Sequence, residues 1–154
     1  MATTSTGILL HRADAEGGLS VLVAHMGGPF WARKDAGAWS IPKGEHGPDE
    51  APLDAARREF REELGVDPPD AAYVELGTFV YASGKRVTVF AADGTGFDPD
   101  EFAFGTFEMP WPPRSGRMQT FPELDRVEWM PVEQARDRLV AGQRPALDAL
   151  LRRR

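Results

Sequence analysis

The sequence predicts an α+β fold in which a mixed sheet carries helices, and three observations predict it. Two short apolar runs that read as strands open the chain, one amphipathic helical segment follows, and further strands lead into two short helices. That order of strands, helix, strands, helices is the order of a layered fold around a mixed sheet.

Residues 4–11 (TSTGILLH) and 19–26 (LSVLVAHM) read as strands joined by the polar turn 13–18. Gly27-Gly28-Pro29 ends the second strand, and a Trp- and Gly-containing loop runs over 30–38. Trp39-Ser40-Ile41 reads as a short strand and Pro42-Lys43-Gly44 as a turn. The spacing predicts a helix from an Asp49 N-cap, with Pro52 in its first turn. Leu53, Ala56, Phe60 and Leu64 form its apolar stripe, and Gly65 terminates it. Residues 73–82 and 86–92 read as a hairpin turning at Ser83-Gly84. Beyond the loop 94–101, a strand is expected over 102–109, a polar, basic loop over 114–122 and a last strand over 126–130. Helices are expected over 132–140 and 145–152, split by Gly142. Trp39 and Trp129, on strands, are assigned to the core, and His11, His25 and His46 show no ligand spacing.

A chain of 154 residues is the length of one domain, taken as 1–154, and long enough to bury a core. With 42% hydrophobic and 27% charged residues the composition is that of a water-soluble protein. No apolar run approaches the ~20 residues of a membrane span, and the first residues lack the pattern of a signal peptide. The absence of cysteine excludes disulfides and thiolate metal sites and fits a cytoplasmic protein. A net charge of −6 argues against a general nucleic-acid surface; the closing arginines Arg152–Arg154 read as a solvated helix end. A monomer or a homodimer would both suit these features.

The stretch 44–66, GEHGPDEAPLDAARREFREELGV, carries the chemistry. Glu59, Glu62 and Glu63 recur at helical spacings of three and four, so they crowd one sector beside the apolar stripe. Like charges so close repel, and a hard divalent cation, Mg²⁺ or Mn²⁺, is the simplest remedy. Carboxylates on one helix face can hold such an ion against phosphate oxygens, while another carboxylate receives the proton of a water. An exposed acidic face paired with Arg57, Arg58 and Arg61 is the plainer reading of the helix taken alone. The register with Gly44, Glu50 and Gly65 weighs against it.

That register runs Gly44, five residues, Glu50, seven residues, Arg58-Glu59, then Glu62-Glu63, Gly65 and Val66. It resembles the Nudix box at every defining position. The resemblance implies an α/β/α sandwich with the box helix on one face of the mixed sheet. It also implies hydrolysis of a nucleoside diphosphate linked to another moiety, X, with Mg²⁺ or Mn²⁺ as cofactor. Glu59 and Glu63 would be metal ligands, Glu62 a ligand or a base, and Arg58 with Glu50 the pair that braces them. Gly44 would let the backbone approach the metal or phosphate, and Gly65 would support the box.

Outside the box, Lys43 ends a Trp-Ser-Ile-Pro-Lys-Gly run similar to that of diadenosine tetraphosphate hydrolases and is a candidate phosphate contact. Glu123, six residues before Trp129, matches a loop glutamate of that branch that serves as metal ligand or base. Tyr81 lies 16 residues past Gly65, where a tyrosine of that branch stacks on a base; a half-buried strand tyrosine is the competing reading. Lys85, Arg114 and Arg117 are further candidates for polyphosphate contacts, and Trp31 and Trp111 for a base. A dinucleoside polyphosphate such as diadenosine tetraphosphate is the expected substrate. Nucleoside triphosphates, ADP-ribose and diphosphoinositol polyphosphates remain alternatives, since charge alone does not choose among them. A nucleotide-sensing module that binds without cutting is the reading from another class; such modules usually lose box carboxylates, and here all three are present.

Overall fold

The computed structural model describes residues 4–153; Met1–Thr3 and Arg154 lie outside the described residues. Strands β1 (Thr4–Ala13), β2 (Leu19–Met26), β3 (Trp39–Ser40) and β4 (Lys43–Glu45) precede helix α1 (Pro52–Leu64). Strands β5 (Val74–Val80), β6 (Arg86–Asp93), β7 (Thr106–Pro110), β8 (Met118–Pro122) and β9 (Leu124–Pro131) follow. Helix α2 (Val132–Arg138), a 3-10 turn (Ala141–Gln143) and helix α3 (Arg144–Arg152) close the chain. No helix among the described residues is long and apolar enough to cross a membrane.

Seven strands form the main sheet, in the order β3-β2-β1-β6-β5, with β4 also on β1 and β9 on β2. The β1–β6 pair is parallel and the other pairs are antiparallel, so the sheet is mixed. Both faces are covered. Leu9, Val21, Val23, Val87 and Val89 point to one side and pack with Ala135 of α2, Leu139 just after it, and Leu147 and Leu150 of α3. Their chain neighbours Ile8, Leu10, Leu22, Ala24 and Phe90 point to the other and pack with Ala56, Phe60 and Leu64 of α1. The strict two-residue alternation is what a sheet with two apolar faces requires. The result is the α/β/α sandwich, with the glutamate helix alone on its face.

Several expectations are corrected. The turn expected at 42–44 is strand β4, which pairs Lys43–Glu45 with Ser5–Gly7 at the start of β1. Helix α1 begins at Pro52, with Ala51 rather than Asp49 at the N-cap and no side-chain cap. The proline explains this: it drives the preceding residue into extended backbone, and Ala51 has ψ 141°. The strand expected at 102–109 starts only at Thr106, and the basic loop expected over 114–122 becomes strand β8 from Met118. Among the described residues, strands β7 and β8 pair only with each other, forming a two-stranded hairpin beside the main sheet. Trp39 is buried as expected. Trp129 is half-buried, with its indole N–H donating to the Phe97 carbonyl and the Arg12 guanidinium over its ring.

Candidate active site

The site is built around α1. Arg58 is its centre of gravity. Its Nε and Nη2 donate to the two Glu50 carboxylate oxygens at 2.8 and 2.9 Å, the bidentate fork. Its Nη1 donates to Glu59 at 2.8 Å and Glu62 at 3.1 Å, and Nη2 also reaches the Glu45 carbonyl at 3.2 Å. Glu50 in turn accepts the Gly47 backbone N–H. One guanidinium therefore ties the loop before the helix, the end of β4 and two helix glutamates together. Arg58 beside it, with help from the Gly47 N–H, holds the Glu50 carboxyl down at about 2.

Gly44 lies under the Glu59 carboxylate, and a methyl group there would overlap it. Glycine is required at this point because a carboxylate crosses the backbone, which gives the first box position a steric reason. Glu59 is largely buried and Glu62 half-exposed, at 16% and 56% side-chain exposure. Burial raises the Glu59 carboxyl, Arg58 opposes this, and Glu62 and Glu123 add to it. Burial pushes the Glu63 carboxyl up to about 8. Lys43 works against that shift through its charge and its backbone, while Glu123 and Glu59 reinforce it.

A cleft of about 430 Å³ opens beside these groups, lined by Met26, Ser40, Lys43, Glu63, Tyr81, Glu123, Leu124 and Val140. It collects residues from β2, β3, β4, α1, β9 and the segment before it. A smaller recess of about 150 Å³ adjoins it across Lys43 and Tyr81 and is lined also by Ser5, Lys85 and Arg86. A larger cavity, about 460 Å³, lies at the far end of β1 against Leu150 and Arg153. It holds none of the box residues, and its size does not make it the site.

The C-terminal end of α1 fixes Glu123. Gly65 adopts φ 73° and returns its N–H to the Arg61 carbonyl. The next free carbonyls, of Glu63 and Leu64, accept the N–H groups of Gly105 and Ala103. Gly105 then accepts the Glu123 N–H at 2.7 Å, and Gly27 donates to the Glu123 carbonyl at 2.9 Å. Glu123 is thus held against the helix that carries Glu63, although 60 residues separate them in sequence.

Tyr81 walls both recesses while its hydroxyl accepts a 3.0 Å hydrogen bond from Gln143. Gln143, wholly buried, also donates to Ser40 and accepts the Ile41 N–H, and the ring lies directly on Gly142. Burial raises the Tyr81 hydroxyl, against the Gln143 hydrogen bond. One side of Tyr81 is therefore packed and tethered. Arg114 and Arg117 are not brought to the cleft. They lie in the turn joining β7 to β8, and five strand residues at ~3.4 Å each separate that turn from Glu123. Trp111 shares that turn, and Trp31 packs against the core. Arg86 of the smaller recess was not singled out from sequence; its only signal is adjacency to Lys85 on a strand start.

Among the described residues no three acidic or imidazole side chains converge tightly enough to form a finished metal cage. The donor set nevertheless suits a hard cation: the charge of Glu123 helps to raise the carboxyls of both Glu59 and Glu63, so these carboxylates share one small space, and the groups available are oxygens. A divalent ion would relieve the repulsion that protonation relieves here.

A NUDIX domain model matches residues 1–150. The chain is 30% identical over 111 residues to a nucleoside triphosphate pyrophosphatase/Nudix hydrolase fusion protein of Bifidobacterium longum (strain NCC 2705), covering 71% of this chain and 23% of that one. It is 37% identical over 70 residues to an RNA pyrophosphohydrolase of Hahella chejuensis (strain KCTC 2396), covering 42% of this chain and 43% of that one. The alignments thus span less than half the length of either relative. Among solved structures, a C. elegans Ap4A hydrolase binary complex superposes with TM-score 0.62 over 97% of this chain and 96% of that one, at 20% identity, a likeness of fold.

Proposed function

Since the chain belongs to the Nudix family, we propose that it is a divalent-metal-dependent pyrophosphohydrolase that cuts a nucleoside diphosphate linked to a second group, X. The observation that carries this reading is the meeting of Lys43, Glu63, Tyr81 and Glu123 in one cleft, beside a Glu59 carboxylate folded over Gly44. Glu59, Glu62 and Glu63 are the residues to hold Mg²⁺ or Mn²⁺, with Glu123 completing the set or serving as base. A hard cation held there would supply positive charge against the anhydride oxygens and make a water easier to deprotonate.

The chain's own groups account for the remaining requirements. Arg58 keeps Glu59 and Glu62 aligned and is itself fixed by the Glu50 fork. Glu123, as base, would take the proton of the attacking water from its place on the cleft wall. Lys43 offsets phosphate charge at the junction of the two recesses, and Lys85 and Arg86 extend that field outward. A train of phosphates running from the cleft into the basic recess is the substrate shape this favours, so a dinucleoside polyphosphate such as diadenosine tetraphosphate is the proposed substrate. The edge of Tyr81 left free by Gly142 is available to a base or ribose.

A Mg²⁺-dependent screen of diadenosine polyphosphates, nucleoside triphosphates, ADP-ribose and diphosphoinositol polyphosphates, with products identified, tests the reading. Turnover highest on the diadenosine polyphosphates is expected. Tight binding across the panel without turnover would replace the enzyme by a nucleotide sensor.

A further inference from the structure

Strand β9 carries a bulge next to the site. Its register with β2 pairs Arg126 with His25 but Leu124 with Met26, so Asp125 is the extra residue. The extra residue resets the side-chain alternation of the strand at the point where the chain leaves Glu123. Leu124 thereby stays in the α1-side core, at 4% exposure, and the backbone N–H and C=O of Glu123 face Gly105 and Gly27.

The bulge is held by a buried histidine. His25, 2% exposed, has Nδ1 at 2.8 Å from the Asp125 carboxylate and Nε2 at 2.6 Å from the Lys34 carbonyl. Its ring also stands edge-on to Trp39, 5.2 Å between centroids. The imidazole has no rotational freedom left: both nitrogens are engaged and the ring plane is set by the indole. It therefore clamps the bulged residue from the interior of the sheet, two residues from Glu123.

We propose that His25 and Asp125 are positioning residues for Glu123: by pinning the bulge, the pair aims the Glu123 carboxylate into the cleft. The inference rests on the reading of Glu123 as a participating carboxylate. Removing the Asp125 side chain frees the bulge to relax, and the loss then shows in kcat rather than in KM, because phosphate-binding Lys43 and Lys85 lie on other strands or turns.

A double-mutant cycle tests this, on the substrate turned over fastest in the screen above and by titration with Mn²⁺ alone. Asp125→Ala is expected to lower kcat on the order of tenfold with KM little changed, as does loss of the partner that orients a ligand or base. In a Glu123→Gln background the same change should have no further effect on kcat, nor on Mn²⁺ affinity. Asp125→Asn keeps an acceptor for Nδ1–H and should recover most of the activity; His25→Asn, whose amide N–H takes the place of Nδ1–H, should resemble it. If Asp125→Ala fails to fold, Asp125→Ser, too short to reach the imidazole, runs the same cycle. Losses that multiply in the double variant would overturn the inference while leaving Glu123 its part in catalysis. A silent Glu123→Gln would instead sink the reading of Glu123, and the inference with it.

Discussion

Glu63 stands where desolvation and the proposed cation would act in opposite directions. Its folded carboxyl lies near 8, above the usual carboxylate range, so the folded state binds a proton that the unfolded state has released. Metal-free stability is then unaffected below about pH 4.5, falls as pH rises toward 8, and levels off above it. Glu63→Gln removes that penalty. It should raise metal-free stability at pH 7.5 by on the order of 1–3 kcal/mol and leave it nearly unchanged at pH 4.5. Thermal melts in EDTA at the two pH values check this; an equal shift at both would mean the carboxylate is not desolvated. The same variant should lose turnover by two or more orders of magnitude, on the order of 3 kcal/mol of transition-state stabilisation. Because a ligand must shed its proton, Mn²⁺ binding below pH 8 should release up to one proton. Calorimetry in two buffers of different ionisation enthalpy would reveal it, and an identical heat in both would refute it.

At the scale of elements, what could be read in advance depended on whether an element buries a face. The stripe of α1 and the continuous apolar runs of β1, β2 and β6, which bury both faces, are imposed by the core, and those elements fall where the pattern places them. Strand β8 buries almost nothing: Met118, Gln119 and Thr120 are exposed, and among the described residues its one strand partner is β7. With no face to protect, its sequence carries no period and reads as loop. Residues 103–105 look apolar enough to extend a strand but are used instead to cap α1. That use is a tertiary fact, set by where the helix ends. The box residues were legible because each constraint is local, including Gly44 under Glu59 and Arg58 against Glu50. The Glu123 brace through Gly105 and Gly27, and the Gln143 tether of Tyr81, link residues distant in sequence and had no local signature. Gly65→Ala probes the cap. A Cβ there would strike Ala103, and φ 73° favours glycine, so a loss of about 1–3 kcal/mol is expected. Since the same turn leads through Gly105 to Glu123, turnover below the melting temperature should fall too. Chemical denaturation and kcat on one preparation check both; a stability loss with unchanged kcat would separate the cap from the site.

Across the whole molecule, charge is distributed against its own average. The chain carries a net −6, yet Lys43, Lys85 and Arg86 share the rim of one recess, with Glu45 the acidic residue among its lining. Among the described residues, no ion pair within 4.0 Å engages Lys85 or Arg86. An acidic protein that gathers cations at the mouth of its cleft focuses field there, which draws in polyanions and repels them elsewhere. The field should be felt in proportion to the phosphates a substrate carries past the cleaved bond. Lys85→Ala with Arg86→Ala should therefore raise KM for diadenosine tetraphosphate roughly tenfold or more, each charge-assisted contact contributing about 1–2 kcal/mol. ADP-ribose, with only two phosphates and none to extend into the basic recess on the proposed reading, should change about threefold or less, the residual long-range effect of two lost charges. Because the contacts hold ground state and transition state alike, kcat should stay within about twofold. The double variant should also show a weaker dependence of kcat/KM on salt, since the screened component has been removed. Steady-state kinetics on both substrates at two ionic strengths decide it. An equal rise in KM for the two substrates would move the phosphate train out of the basic recess and leave X to be bound from the side of Tyr81.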